Sequence, residues 1–163
     1  MKQLWAPWRM AYIDQGATET GCVFCNKLQA SHARDSLVLA QTRYSVVMLN
    51  KYPYNNGHLL VAPKRHEKNL STLSAQEYDD LNEALRGSVD IVLKVLNPGG
   101  INLGMNLGKC AGAGVEDHLH WHVVPRWEGD TNFMPVVGET RVMPQHLLDS
   151  YDRLQSYFRS LSA

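Results

Sequence analysis

The sequence predicts an α+β domain built on a mainly antiparallel sheet of about five strands, with one long central helix and a C-terminal helix. Three observations lead there. Short β-rich runs arrive as hairpins and do not alternate with helices as βαβ units do. One long stretch between them repeats its apolar residues every three or four positions, as a helix with one buried face does. Finally, Asp117-His118-Leu119-His120-Trp121-His122-Val123-Val124-Pro125 alternates imidazole with apolar side chains, the period of a strand whose two faces meet different surroundings. At 163 residues the chain is about one domain long, enough for a single core. No repeat, low-complexity tract or composition shift divides 1–163.

Residues 1–20 form an aromatic arm in which Trp5, Trp8 and Tyr12 surround Pro7 and Arg9. The spacing is too irregular for an amphipathic helix, and exposing several large rings is costly, so the arm is expected to pack over the domain or a partner subunit. Gly21-Cys22-Val23-Phe24-Cys25 then opens a variable stretch through Asp35. The runs 36–41 and 44–50 are rich in β-formers and are separated by Thr42-Arg43, which reads as a hairpin. Turn residues Tyr52-Pro53-Tyr54-Asn55-Asn56-Gly57 lead into a third strand over 58–63. Ser74-Ala75-Gln76-Glu77 fits a capping box, hydroxyl and carboxylate each satisfying a free amide at a helix start. From there Tyr78, Leu81, Leu85, Val89, Val92 and Val95 or Leu96 predict the long helix, ended by Asn97-Pro98-Gly99-Gly100. Residues 101–107 give a fourth strand, 108–114 a glycine-rich loop, and the histidine run a fifth strand. In the C-terminal extension, 128–163, the part from 128 to 141 has no clear period. A second helix is expected from Pro144, where the missing amide costs nothing, to about residue 161.

Composition excludes several classes. With 44% apolar and 20% charged residues the chain is an ordinary globular protein. Lys+Arg and Asp+Glu both total 16, so no net field recruits nucleic acid or an anionic membrane. The opening Met-Lys-Gln-Leu-Trp-Ala-Pro-Trp-Arg has no apolar signal core, and nothing approaches the roughly 18 apolar residues of a spanning helix. A cytoplasmic protein is expected, its three cysteines reduced or metal-bound and not joined in a disulfide framework.

The chemistry concentrates at the histidine row. On a strand, His118, His120 and His122 share one face while Leu119, Trp121 and Val123 seal the other. A half-exposed surface strand would also alternate, but three consecutive same-face histidines in a chain with 7 in all favour a functional face. Three charged imidazoles in a row would repel, so they are expected to be mostly neutral near pH 7 and available as nucleophile, acceptor or metal ligand. The preceding 108–114 loop is glycine-rich, which lets backbone amides approach an anion. No helix follows it, so it is not a dinucleotide fingerprint. Together they make a site for phosphoryl oxygens facing a nitrogen nucleophile: His120 in the middle to attack phosphorus, His122 to bind or protonate oxygens, loop amides to stabilise equatorial charge.

Cys22 and Cys25 form a Cys-x-x-Cys pair, compatible with zinc or with redox chemistry. A four-coordinate zinc would need two histidines, His66 and one of the strand histidines. A buried apolar pair is the structural alternative. Cys110 reads as a small loop filler, Asn50 as a cap or a ribose contact, His58 as a packed strand residue, and His32 and His146 as surface residues.

His118-Leu119-His120-Trp121-His122-Val123-Val124 resembles the motif of the histidine-triad (HIT) family. Leu49-Asn50, the Gly57-His58-Leu59-Leu60-Val61-Ala62-Pro63-Lys64 strand and the Asn106…Ala111-Gly112 loop stand in that family's order. The likeness runs from about Cys22 to Trp127. The aromatic arm and Pro125-Arg126-Trp127-Glu128-Gly129-Asp130-Thr131-Asn132-Phe133 are similar to the branch of diadenosine tetraphosphate phosphorylases and dinucleoside polyphosphate hydrolases. The resemblance implies a homodimer of HIT-like α+β subunits with joined sheets and a nucleotide in each cleft. By the same correspondence His120 takes the nucleotidyl group and His122 contacts the α-phosphate and leaving oxygen. Asn50 would bind ribose, and Asn106, Gly112, Gly114 and Val115 would hold phosphates. A structural zinc would sit on Cys22, Cys25, His66 and His118, with His118 fixing the strand that aims His120. Two departures stand out: Ala113-Gly114-Val115 carries an extra residue where many relatives have Gln-Ser or Gln-Thr, and some phosphorylases of this branch lack the zinc ligands.

The expected activity is therefore cleavage of an adenosine di- or polyphosphate at the α-phosphate through a nucleotidyl-histidine, completed by phosphate or by water. Adenosine phosphoramidase activity is the alternative within the class. A zinc-stabilised module that binds nucleotides without turnover is the alternative outside it.

Overall fold

In the computed structural model, which describes residues 21–130 and 145–162, local chemistry explains each element in turn. The aromatic arm, the stretch 131–144 and Pro144 lie outside the described residues. The variable stretch after Cys22 forms two short helices, α1 (Val23–Leu28) and α2 (Ala33–Ser36). Neither is long enough to show a helical period. Leu37 closes α2 in the left-handed region, φ 64°, so the first strand, β1 (Val38–Gln41), starts two residues later than the sequence suggests. The hairpin to β2 (Ser45–Leu49) follows as expected, its turn held by Thr42, whose hydroxyl accepts from the Ser45 amide at 2.9 Å.

β3 (Leu59–Pro63) pairs antiparallel with β2, Val46 opposite Ala62 and Leu49 opposite Leu59. Every residue of β2 and β3 is buried because both faces are covered. Val47, Leu49, Leu59 and Val61 join the main core under the long helices, while Val46, Met48, Leu60 and Ala62 pack on Phe24 of α1. Each such side chain removed from water contributes about 1.5–3 kcal/mol before entropy is counted.

The long helix, α3 (Ala75–Leu96), begins with the capping box: the Glu77 amide donates to the Ser74 hydroxyl and the Ser74 amide to the Glu77 carboxylate. It ends at Asn97, φ 47°. Its buried stripe is Leu81, Ala84, Ser88 and Val92, with Leu85, Val89, Val95 and Leu96 flanking it. Tyr78, expected on that stripe, is instead 45% exposed, since the core-facing line at this end passes through Leu81. β4 (Gly100–Met105) and β5 (Trp121–Arg126) complete an antiparallel sheet in the order β1-β2-β3-β5-β4. The last helix, α4 (Leu147–Phe158), is capped by His146, whose ring accepts from the Leu148 amide, and runs into a 3₁₀ turn, Arg159–Leu161. Tyr151, Leu154 and Phe158 bury its inner face, and the Tyr151 hydroxyl donates to the Val38 carbonyl at 3.0 Å. The α+β architecture is thus present, with five antiparallel strands, a long helix and a C-terminal helix. Among the described residues no helix is long and apolar enough to cross a membrane.

Candidate active site and metal centre

Regular strand pairing of the histidine run begins only at Trp121, four residues later than its alternation suggests. The segment before it is tied by the Leu119 amide to the Glu67 carbonyl at 2.7 Å. The two-sidedness survives: Leu119, Trp121 and Val123 join the core beneath α3, and the three imidazoles lie on the opposite side, His122 opposite Leu60.

His118, fully buried, meets Cys22, Cys25 and His66. Its Nδ1 is 3.3 Å from Cys22 Sγ and 3.8 Å from Cys25 Sγ, and Cys25 Sγ is 3.4 Å from His66 Nδ1. The four donor atoms lie within 4.8 Å of one another. Two sulfurs and two ring nitrogens at that spacing suit a tetrahedral zinc, whose bonds of about 2.0–2.3 Å span such a group. The second nitrogen agrees: His118 Nε2–H donates to the Pro63 carbonyl at 2.8 Å, leaving the Nδ1 lone pair for a metal. Burial is the main force holding the His118 pKa down, and burial followed by the neighbouring Cys22 pushes the Cys25 thiol up. A divalent cation among these groups would reverse the second effect. Of the strand histidines left open by the spacing, the structure brings His118 to the pair. A helix does follow Cys22, as in redox motifs, but the two facing imidazoles are what a metal needs.

His120 is 6% exposed and packed against Phe24, with ring centroids 4.9 Å apart. Its Nδ1–H donates to the His118 carbonyl at 2.8 Å, which leaves the Nε2 lone pair unshared. Among the described residues Nε2 makes no hydrogen bond. Burial lowers the pKa of His120, so the ring is neutral near pH 7.

His122 is organised by His58, a residue the sequence marked only as a packed strand position. His58 is fully buried, and its Nε2 faces His122 Nδ1 at 3.0 Å. The Tyr54 amide donates to His58 Nδ1 at 3.0 Å, and the Asn50 amide group lies 3.3 Å from the same nitrogen. Asn50 Oδ1 already accepts from the Tyr52 amide, which orients the Asn50 NH₂ toward His58. With Nδ1 accepting, His58 carries its proton on Nε2 and gives that hydrogen bond to His122 Nδ1. The other N–H of His122 is then on Nε2. Asn50, expected at ribose, thus has its amide engaged with His58 and Tyr52. Gly57, φ 69°, makes the turn into this strand, and a Cβ there would lie 2.3 Å from Leu96 Cδ1.

A cleft of about 400 Å³ runs along β4 and β5 beyond His122, lined by Tyr54, Asn102, Gly104, Asn106, Val124 and Arg126 among others. The glycine loop holds a compact 3₁₀ turn, Lys109–Ala111, in which the amides of Ala111, Gly112 and Ala113 bond the Gly108 and Lys109 carbonyls. Asn106 Nδ2 makes only a long contact, 3.5 Å, with the Gly112 carbonyl, and Val115 packs beside the Phe24 cluster. Gly114 follows the turn outside any helix or strand, and Cys110 is exposed on the turn. Sequence reading missed Tyr54, Asn55, Asn102, Arg126 and Asp130, because their roles come from pairings distant in the chain. The turn chemistry of 52–57 was the available signal.

A family model described as HIT domain matches residues 31–129. The chain is 35% identical over 157 residues to a Mycobacterium tuberculosis protein named AP-4-A phosphorylase, covering 92% of this chain and 80% of that one. It is 34% identical over 95 residues to an asymmetrical bis(5'-nucleosyl)-tetraphosphatase of Schizosaccharomyces pombe, covering 58% of this chain and 52% of the relative. Among solved structures, a Zn-bound histidine triad family protein from Mycobacterium smegmatis is similar with a TM-score of 0.65 and 25% identity, covering 86% of this chain and 95% of that one.

Proposed function

The chain belongs to the HIT family, and from that premise we propose that it is a nucleotidyl transferase or hydrolase that opens adenosine di- or polyphosphates, of the diadenosine tetraphosphate type, at the α-phosphate. The observation that carries this reading is the unshared Nε2 of a buried, neutral His120 whose ring lies beside that of His122, centroids 4.9 Å apart. Nε2 attacks the α-phosphorus, a P–N bond forms, and the P–O bond to the rest of the chain breaks. The His122 Nε2–H donates to the departing oxygen, which in a polyphosphate is weakly basic and needs a hydrogen bond more than a full proton. The cleft beyond His122 receives the leaving group. A phosphate or water oxygen then attacks the same phosphorus, the P–N bond breaks, its electron pair returns to Nε2, and the proton from the acceptor passes to solvent.

Zinc on Cys22, Cys25, His66 and His118 would supply a cross-link joining the start of α1, the end of β3 and the triad. The same reading makes the chain a homodimer. In support, β4 is an edge strand among the described residues, and its Leu103 is 49% exposed.

The test is incubation with diadenosine tetraphosphate, with and without inorganic phosphate. ADP plus ATP, formed only with phosphate, identifies a phosphorylase, and AMP plus ATP a hydrolase. Tight nucleotide binding with neither product would overturn the enzymatic reading in favour of a binding module.

A further inference from the structure

The segment after the triad, Arg126 to Asp130, does more than close the sheet. Asp130 is a half-buried acceptor hub, its side chain 9% exposed. Arg126 donates to both carboxylate oxygens, at 2.7 and 2.8 Å, and the Trp127 amide donates at 3.1 Å. The third partner reaches across the fold: Asn55 Nδ2 donates to Asp130 Oδ2 at 2.6 Å and lies 2.9 Å from the Pro125 carbonyl. Asn55 is itself buried, 8% exposed, and its own carbonyl accepts from the His58 amide at 3.2 Å. Its neighbour Tyr54 supplies the amide that makes His58 Nδ1 an acceptor, and the Tyr54 ring packs 4.6 Å from His58 and 5.6 Å from His122.

We infer that Asp130 is a positioning residue: through Asn55 it holds the Tyr54–Asn55 turn against His58, and so decides which nitrogen of His122 presents a proton to the substrate. The inference rests on the reading that His122 acts in nucleotidyl transfer. A carboxylate is suited to the task because it accepts several strong hydrogen bonds at once without donating any. A neutral loop anchor would leave the turn free to shift by the few tenths of an ångström over which such a bond weakens. The geometry also separates two roles within one motif. Arg126 lines the cleft, whereas Asp130 acts through Asn55.

The experiment uses the full chain and two readouts: steady-state turnover of diadenosine tetraphosphate, and the ring ¹⁵N–¹H correlations of His122, which report the tautomer independently of activity. Asp130→Ala is expected to lower kcat by about 10–100-fold, the usual cost of losing an orienting partner, with KM changed little, and to convert His122 from one tautomer to a mixture. Asp130→Asn, which keeps one acceptor oxygen, is expected to fall between and serves if Asp130→Ala does not fold. Arg126→Ala should raise KM while leaving the His122 signals in place. Asn55→Ala combined with Asp130→Ala should cost no more than Asp130→Ala alone. Unchanged His122 signals in a folded Asp130 variant would overturn the inference, as would equal effects of the Arg126 and Asp130 variants on tautomer and kcat. If wild-type protein turns nothing over, the functional reading fails, and the ¹⁵N experiment still decides the tautomer claim.

Discussion

His58 and His122 face each other nitrogen to nitrogen at 3.0 Å, and a single proton lies between them. Because two donors already point at the far nitrogen of His58, that proton belongs to His58. His58→Phe fills a similar volume but removes the donor, so we expect kcat to drop by about 10–100-fold with a smaller change in KM. Kinetics within twofold of wild type would show that His122 needs no such partner.

Removing the proposed nucleophile should have a larger effect. For His120→Ala we expect a loss of at least about 10³-fold in kcat/KM, as for other covalent nucleophiles. Acid-quenched wild-type protein should carry a nucleotidyl adduct by mass spectrometry, and the variant should not. An adduct on the variant would place the chemistry on another residue.

The four-donor cluster makes a stability prediction. Purified protein is expected to hold about one zinc per chain, and Cys25→Ser or chelation should release it and lower Tm. Because His118 also supplies the carbonyl that accepts from His120, the stripped protein should lose turnover as well as stability. A melting curve indifferent to chelation would sink the cross-link.

Next to that cluster, Arg65 bridges Glu67 and Glu77, and the Glu67 main chain holds Leu119. Backbone donation from Asn69 first, and other hydrogen bonds after it, bring Glu67 from 4.5 to about 2, while Arg65 chiefly does the same for Glu77. Folded-state values below the unfolded ones mean that acid favours the unfolded chain. The contribution is complete above about 4.5 and is lost as pH falls through about 2. Glu77→Gln should therefore flatten the loss of stability across that window, measured by urea melts at several pH values. An identical slope in the variant would assign acid lability elsewhere.

Much of this was legible in the chain because local rules and tertiary demands agree. The Ser74-Glu77 box, the Asn97-Pro98 stop and the alternation around His120 each require only neighbours within a few residues. Three of the four metal donors, Cys22, Cys25 and His66, were readable from the residues themselves, and only the strand histidine needed the family likeness. What stayed hidden depends on contacts across the sheet. His58 looks like any strand residue until His122 is placed beside it, and Asp130 like any turn residue until Asn55 arrives 75 positions away in sequence. The glycine loop was legible only in part. Composition announces conformational freedom, but not whether the freed amides face a ligand or their own turn.

The group that accepts the Nδ1 proton of His120 is a peptide oxygen, and every amino acid brings one. Replacing the imidazole at 118 would forfeit a ligand while leaving that anchor in the backbone. A substitution at 118 thus acts on the neighbouring imidazole only by displacing main chain, so its damage should track how far the segment moves.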